Sequence, residues 1–221
     1  MKIGVDAVLL GCWTGKGDIH SVMDIGCGCG IISLILAQRF PEAIITAIDC
    51  DRASIEESTL NFRNSPFKER LDAFQLKFPE DIIEMGKKFD LIVSNPPFFK
   101  SGILHPSTPR EKARHQDELN VFSLIEHADD LLNDNGTLSM IFPYEYRDEV
   151  ILKANSNKLI PVRECRIKGR ESRPVKRVMM EFRKAACNDE IKKETNELIL
   201  YTDTLPTDSY KNLCRDFYLK F

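Results

Sequence analysis

The sequence predicts an α/β protein built on a doubly wound sheet that is mostly parallel, with an antiparallel edge. Apolar stretches of strand length alternate with stretches of helical periodicity along most of the 221 residues. Turns rich in glycine, proline, asparagine and aspartate separate these stretches. Such alternation is typical of parallel strands whose connecting helices cover both faces of one sheet. Sheets of this kind bind ligands at the carboxyl ends of their central strands.

The elements of the N-terminal half follow from apolar runs and from the residues that interrupt them. We predict strands at 21–25, 43–49, 71–76 and 89–94, and helices within 1–20 and at 31–37 and 52–64. Three glycines separate the first strand from the helix that follows it. Ser65-Pro66 ends the helix at 52–64, because proline cannot continue a helix. The strand at 71–76 has the weakest pattern of the four.

The second half continues the alternation. We predict helices at 121–132 and 146–155, and strands at 137–142, 160–167 and 178–182. The run Asn133-Asp134-Asn135-Gly136 ends the first of these helices, since these residues favour turns. The whole chain is therefore expected to form a single domain, 1–221, with a lead-in at 1–20 and a C-terminal extension at 185–221 packed on it.

Composition excludes several classes of protein. The chain is 43% hydrophobic and 29% charged, which is ordinary for a globular domain, and no apolar run approaches the roughly 18 residues of a membrane helix. No signal-peptide pattern follows Met1. Seven cysteines, an odd number with irregular spacing, favour reduced thiols. We expect a cytoplasmic monomer with no membrane contact.

The glycine-rich stretch after the first strand is the strongest candidate for a binding loop. It reads Asp24-x-Gly26-x-Gly28-x-Gly30 and leads directly into a helix. Glycines let a ligand approach the backbone, and the helix N-terminus offers free N–H groups. The alternative is an ordinary glycine-rich turn. Cys27 lies in a C-x-C pair without a second pair at zinc-site spacing, so we expect no metal.

Two aspartates accompany this loop. Asp49 ends the second strand, 23 positions after Gly26, where a carboxylate can accept hydrogen bonds from both ribose hydroxyls of a nucleoside cofactor. It can instead cap the next helix, although Asp51 suits that role equally well. Asp24 can approach the cofactor's amino group through water or serve a purely structural role.

The turn Asn95-Pro96-Pro97-Phe98 ends the fourth strand and carries a specific chemistry. Two prolines fix the backbone, so the Asn95 amide oxygen and the Pro96 carbonyl can point into the crevice. An amino group on a flat ring is a poor nucleophile, and two acceptors on its hydrogens favour the transition state in which positive charge develops on nitrogen. Phe98 offers a ring on which a base can stack. The alternative is a simple strand-ending turn.

Together, the glycine loop and the Asn-Pro-Pro-Phe turn resemble the S-adenosylmethionine-dependent methyltransferases that act on amino groups of adenine, cytosine, guanine or glutamine. The flanks resemble one family more narrowly, the bacterial tRNA1(Val) (adenine(37)-N6)-methyltransferases. That similarity lies in Lys2-x-Gly4-x-Asp6-Ala7-Val8-Leu9-Leu10-Gly11-x-Trp13, Thr108-Pro109-Arg110-Glu111-x-Ala113-Arg114 and Asp216-Phe217-Tyr218-Leu219-Lys220-Phe221. It spans nearly the full chain.

The resemblance implies a Rossmann-like class I methyltransferase domain. It also implies methyl transfer from S-adenosylmethionine to N6 of adenosine 37 in the anticodon loop of tRNA(Val), with S-adenosylhomocysteine as product. The implied cofactor-binding residues are Asp24, Gly26, Cys27, Gly28, Gly30, Asp49, Cys50 and Phe78. The implied catalytic residues are Asn95, Pro96, Pro97 and Phe98. Relatives often carry an acidic residue near the cofactor adenine where this chain has Lys77-Phe78, so Phe78 is a candidate to pack on the adenine.

Basic residues are concentrated in one part of the chain, although the net charge is −3. Residues 160–184 contain nine Lys or Arg against three Glu. This density favours phosphate contact, while the alternative is a set of solvated strand edges that resist aggregation. The candidate RNA-binding residues are Lys100, Arg110, Arg114, Arg170, Lys176 and Arg177.

Other functions share parts of this pattern. An rRNA guanine-N2 methyltransferase can share Asn-Pro-Pro-Phe, and a glutamine-N5 methyltransferase of release factors has a similar turn. The alternative outside the enzymes is an idle RNA-binding module, one that has the methyltransferase fold but no catalytic activity. The intact glycine loop, Asp49 and Asn95 favour an active enzyme.

Overall fold

Residues 4–97, 119–184 and 193–218, the part of the chain that this computed structural model describes, form one eight-stranded sheet with helices on both faces. The strands are β1 (Ser21–Ile25), β2 (Ile44–Asp49), β3 (Leu71–Gln75), β4 (Phe89–Ser94), β5 (Leu132–Pro143), β6 (Leu159–Arg170), β7 (Arg177–Lys184) and β8 (Glu194–Tyr201). The helices are α1 (Val5–Trp13), α2 (Ile31–Arg39), α3 (Arg52–Arg63), α4 (Glu80–Glu84), α5 (Val121–Leu131), α6 (Arg147–Ser156) and α7 (Asp208–Cys214).

The sheet has the order β3-β2-β1-β4-β5-β7-β6-β8. The first five strands of this order are parallel, whereas β7 is antiparallel to both β5 and β6. β8 pairs in parallel with β6. The predicted fold class is confirmed. The chain leaves β1 for β2 on one side and reaches β4 on the other, so the strand order reverses beside β1, where doubly wound sheets bind ligands.

β5 differs most from its predicted bounds. β5 begins at Leu132, immediately after α5, and pairs there with Phe89 before a register shift brings Thr137 opposite Leu91. The polar residues predicted to precede this strand form the irregular part of it. Asn135 takes a left-handed φ of 66°, which asparagine tolerates better than most residues. Turn-forming residues therefore interrupt β5 without ending it.

The C-terminal extension contributes two elements that no sequence pattern predicted. The first four residues of β8 are exposed, and the strand lies at the edge of the sheet, so its sequence lacks the alternation of a half-buried strand. α7 buries Tyr210 and Cys214 in the same core as α1 and α2. The extension is thus part of the layered structure.

Two apolar cores lie on opposite faces of the sheet. One contains residues of α1 and α2, among them Leu9 and Leu36, packed against Ile45 and Leu91 of the sheet. The other contains residues of α5 and α6 packed against residues such as Phe142. Residues 7–13 of α1 are all buried, which accounts for the nearly continuous apolar sequence of this helix.

A buried ion cluster ties the end of α1 to the antiparallel part of the sheet. Glu181 of β7 accepts hydrogen bonds from the Gly15 N–H at 2.6 Å and from the Thr14 hydroxyl at 3.2 Å. Its other carboxylate oxygen pairs with Arg163 of β6 at 2.8 Å. The Arg163 guanidinium lies 4.2 Å from the centre of the Trp13 ring. The N-terminal helix is therefore held by residues that lie more than 140 positions later in the chain.

Candidate functional site

The loop between β1 and α2 requires glycine at three alternate positions. Gly26, Gly28 and Gly30 have φ values of 73°, 55° and 79°, in the left-handed region that other residues avoid. A Cβ on Gly26 would lie 2.6 Å from the Leu119 side chain, and one on Gly30 would lie 2.4 Å from the Phe62 ring. The left-handed backbone disfavours larger residues at all three positions, and the Phe62 ring also leaves no room for one at Gly30. The backbone itself therefore forms the surface of the site.

Asp49 at the end of β2 faces this loop. Its Oδ2 accepts from the Gly28 N–H at 3.0 Å, and its Oδ1 accepts from the Asp51 N–H at 2.9 Å. The helix-cap role belongs to Asp51, whose carboxylate accepts from the Ser54 N–H at 2.9 Å at the start of α3. Each Asp49 oxygen has one protein donor and keeps lone-pair capacity for a ligand hydroxyl.

Asp24 lies behind the loop. It is fully buried, and its Oδ2 accepts from the hydroxyl and N–H of Ser33 at 2.6 and 3.2 Å, which ties β1 to α2. Its Oδ1 has no hydrogen-bond partner among the described residues. Burial raises the pKa of Asp24 to about 7, although the hydrogen bonds from Ser33 oppose this shift.

A crevice of about 930 Å³ brings most of the predicted residues together. Those that line it are Gly26, Cys27, Gly28, Asp49, Cys50, Phe78, Asn95 and Pro97. Asp24, Gly30 and Pro96 are outside the lining. The N-terminus of α2 opens on the crevice through Ile31 and Ile32, and Gly30 gives that helix no side-chain cap. The crevice thus combines backbone N–H groups, a carboxylate and an amide at the carboxyl ends of β1, β2 and β4.

Among the lining residues that were not predicted are four small or apolar ones from α1 and from the segments after β3 and before α5. Gly4 and Ala7 come from the start of α1, Leu76 follows β3, and Leu119 precedes α5. Small or apolar side chains carry no chemical signature that a sequence could reveal. For Gly4 and Ala7 a signal existed, because both belong to the N-terminal motif that carries the family resemblance.

The predicted residues of the turn and of the RNA surface are only partly described. Phe98, Lys100, Arg110 and Arg114 lie outside the described residues. Arg170 and Lys176 are exposed at the two ends of the β6–β7 turn, at the same edge of the sheet as Asn95. Arg177 pairs through Nε with Asp6 of α1 at 3.0 Å. Asp6 therefore partly neutralises the charge of Arg177 and ties β7 to α1, the helix that borders the crevice.

Two findings bear on metals and membranes. Within residues 4–97, 119–184 and 193–218, no three His, Cys, Asp or Glu side chains are grouped so that they could hold a metal ion. In the same ranges, no helix has the length and apolar character needed to cross a membrane.

Comparison with known proteins adds independent information. Residues 6–164 match the family described as Methyltransferase small domain. A tRNA1(Val) (adenine(37)-N6)-methyltransferase of Flavobacterium psychrophilum is 38% identical over 224 residues, which covers 100% of this chain and 93% of that protein. One of Vibrio campbellii is 34% identical over 222 residues and covers 100% and 90%. A predicted O-methyltransferase of Agrobacterium tumefaciens superposes with a TM-score of 0.72 over 96% of each chain at 17% identity, which supports the fold alone.

The position of Asp49 generates a prediction. Asp49→Ala should weaken S-adenosylmethionine binding by about 1–3 kcal/mol, because the buried ribose hydroxyls of this nucleoside would lose their acceptor. Asp51→Ala is the matched control, since it removes the α3 cap and should lower the free energy of unfolding without changing cofactor affinity. Isothermal titration calorimetry measures the affinities. Equal affinity of Asp49→Ala and wild type would remove Asp49 from the cofactor site.

The buried Asp24 generates a pH prediction. In the native protein Asp24 stays protonated up to about pH 7, whereas in the unfolded chain it ionises near its ordinary pKa. Between these values the native state binds more protons, so the free energy of unfolding should fall as pH rises, by on the order of 1 kcal/mol per pH unit. Asp24→Asn should lack this component. Urea denaturation of both proteins at pH 5, 6 and 7 tests it, and parallel profiles would show that Asp24 is ionised throughout.

Proposed function

This chain belongs to the Methyltransferase small domain family and to the tRNA1(Val) (adenine(37)-N6)-methyltransferase family, and from that premise we propose that it methylates N6 of adenosine 37 in the anticodon loop of tRNA(Val). The methyl donor in this proposal is S-adenosylmethionine, and the product is S-adenosylhomocysteine. The observation that carries the proposal is the single crevice shared by the glycine loop, Asp49 and Asn95. The proposed setting is the cytoplasm, with the chain acting as a monomer on tRNA.

The crevice fits the proposed cofactor. Its volume of about 930 Å³ lies within the usual range of small-molecule sites. Asp49 can accept from the ribose hydroxyls, and the walls formed by Ile48 and Phe78 offer apolar surface to the adenine. The unpartnered Oδ1 of Asp24 suits a water-mediated contact with the amino group. When bound, S-adenosylmethionine supplies an electrophilic methyl group on a sulfonium.

Asn95 is proposed to act on the nitrogen of the substrate. Its amide oxygen and the Pro96 carbonyl accept hydrogen bonds from the two N6 hydrogens and so withdraw the lone pair from conjugation with the ring. These bonds strengthen as positive charge develops on nitrogen, which stabilises the transition state more than the bound substrate. The surplus proton leaves to water after the N–C bond forms, because the alkylated nitrogen is then acidic. No general base is required.

The base must leave the stack of the anticodon loop to enter the crevice, and this costs less in a loop than in a duplex. Phe98 is proposed to stack against the adenine. Arg170 and Lys176, exposed at the carboxyl edge of the sheet, are proposed to contact RNA phosphates. The same role is proposed for Lys100, Arg110 and Arg114, because they follow the Asn-Pro-Pro-Phe turn in the sequence. Arg177 is a proposed RNA contact that also pairs with Asp6.

The product identifies the activity. The protein should methylate an unmodified tRNA(Val) transcript, and digestion followed by mass spectrometry should yield N6-methyladenosine from position 37. A transcript with guanosine at position 37 is the matched control and should remain unmodified. Methylguanosine in the digest, or methyl transfer only to a release-factor glutamine, would replace this proposal with one of the two alternative enzymes. Absence of both cofactor binding and methyl transfer would favour the idle module.

The role of Asn95 predicts a loss of rate. Asn95→Ala should lower the single-turnover rate on the order of 10²–10³ at saturating cofactor and leave cofactor affinity unchanged. Asn133→Ala removes the same side chain at the opposite end of neighbouring β5, where it bonds Asp90 at 2.7 Å, and should leave the rate within a few-fold of wild type. Near-normal turnover of Asn95→Ala with loss of RNA affinity alone would make Asn95 a positioning residue.

A further inference from the structure

A second polar cluster lies on the sheet face covered by α5 and α6, around the buried carboxylate of Glu164. Its Oε1 accepts from Arg147 Nε at 2.9 Å and from Arg166 Nε at 2.7 Å, and its Oε2 accepts from Arg147 Nη2 at 2.8 Å and from Lys193. Burial opposes ionisation of Glu164, but these bonds outweigh it and lower the pKa of Glu164 to about 2. The carboxylate is therefore charged under all physiological conditions.

The cluster carries more positive than negative charge. Three cations meet on one carboxylate, and the exposed Asp148, which bonds Arg147 at 2.6 Å, compensates one of the two surplus charges. A buried ionic cluster contributes little stability compared with apolar residues of the same volume. Stability is thus a weak reason for its presence, and the orientation that it imposes on its cations is a stronger one.

Arg166 is the most exposed arginine of the cluster, with 37% of its side chain accessible. Glu164 binds it through Nε alone, which leaves the two Nη groups without a hydrogen-bond partner in the part of the chain that the structure describes. Its guanidinium also lies 5.9 Å from the centre of the Tyr144 ring. Tyr144 is fixed in turn by its N–H, which donates to the Lys176 carbonyl at 3.2 Å. A carboxylate and a ring together hold the guanidinium.

Strand register locates this arginine relative to the proposed catalytic turn. Arg166 pairs with Val178, which pairs with Phe142 of β5, and β5 lies beside β4 with Met140 opposite Ser94. Arg166 is therefore near the level of Asn95, which directly follows β4 and lies three strands away. At the usual strand spacing this separation is roughly 14 Å. One RNA loop with its base in the crevice can reach both positions.

We propose that Arg166, held by Glu164 and Tyr144, is a preformed site for a backbone phosphate of the RNA whose adenine enters the crevice. This inference rests on the proposed function. A guanidinium fork matches the oxygens of a phosphate, and four N–H groups of Arg166 remain for it. Because Glu164 and Tyr144 fix the side chain before binding, little rotamer freedom is lost when the phosphate arrives.

The test compares tRNA binding of variants over a range of salt concentrations, by fluorescence anisotropy with labelled tRNA(Val). Arg166→Gln should weaken binding about fivefold to tenfold at 0.1 M salt. It should also make the negative slope of log association constant against log salt concentration shallower by about 0.7. Cofactor affinity should be unchanged. Arg166→Lys should keep the slope but lose part of the affinity. The control is Arg52→Gln, which removes an exposed arginine paired with Glu56 on α3 and should change neither quantity.

Glu164→Gln separates orientation from net charge. If only net charge mattered, loss of this negative charge would strengthen RNA binding, whereas loss of a preformed site should weaken it. The Glu164→Gln measurement is used only if this variant unfolds cooperatively. If it does not, the RNA affinities of Arg166→Gln and Arg166→Lys decide the proposal. Wild-type affinity and slope in Arg166→Gln would overturn the proposal and leave Arg166 as a partner of Glu164. Failure to methylate adenosine in tRNA would overturn the proposed function instead, since the binding arms do not depend on turnover.

Discussion

The left-handed turn between β1 and α2 is the constraint on which the remaining site geometry depends. Gly26 and its neighbour Cys27 both donate to the Ile48 carbonyl, so the turn fixes the end of β2 relative to β1. That bond pair brings Asp49 within 3.0 Å of the Gly28 N–H. Leu119 and Phe62 then pack where side chains of Gly26 and Gly30 would have been. The conformation of this one turn thus fixes the positions of the glycine loop, Leu119 and Asp49 around the crevice.

How much the sequence revealed depended on the kind of signal. Strands β1, β2 and β4 and the residues at their carboxyl ends were predictable, because buried parallel strands read as apolar runs followed by polar side chains. β8 was not, since an exposed edge strand beginning with Glu194 has no alternation. The choice between Asp49 and Asp51 as helix cap required coordinates, because both residues suit either role in sequence. Leu76 and Leu119 line the crevice through tertiary packing, which no sequence pattern indicates.

Charged side chains at the carboxyl edge differ in how firmly they are held. Arg170 and Lys176 are exposed on a turn, whereas Arg166 is fixed by a buried carboxylate and Arg177 by Asp6. Exposed charges raise the rate of encounter with a polyanion, and fixed ones give the encounter a defined orientation. The ion pair of Arg177 with Asp6 also joins the β6–β7 turn to α1, and Gly4 and Ala7 at the start of this helix line the crevice.

The hold of Glu181 and Arg163 on the end of α1 bears on the order in which the protein matures during translation. α1 leaves the ribosome before β1 to β8, yet the carboxylate that accepts from the Gly15 N–H just after α1 and the guanidinium that covers Trp13 belong to β7 and β6. Until those strands have been synthesised, an emerging chain can pair β1 to β5 but lacks the support that seats α1 over the glycine loop. The nascent protein therefore lacks its complete crevice until β6 and β7 have been synthesised and have joined the sheet.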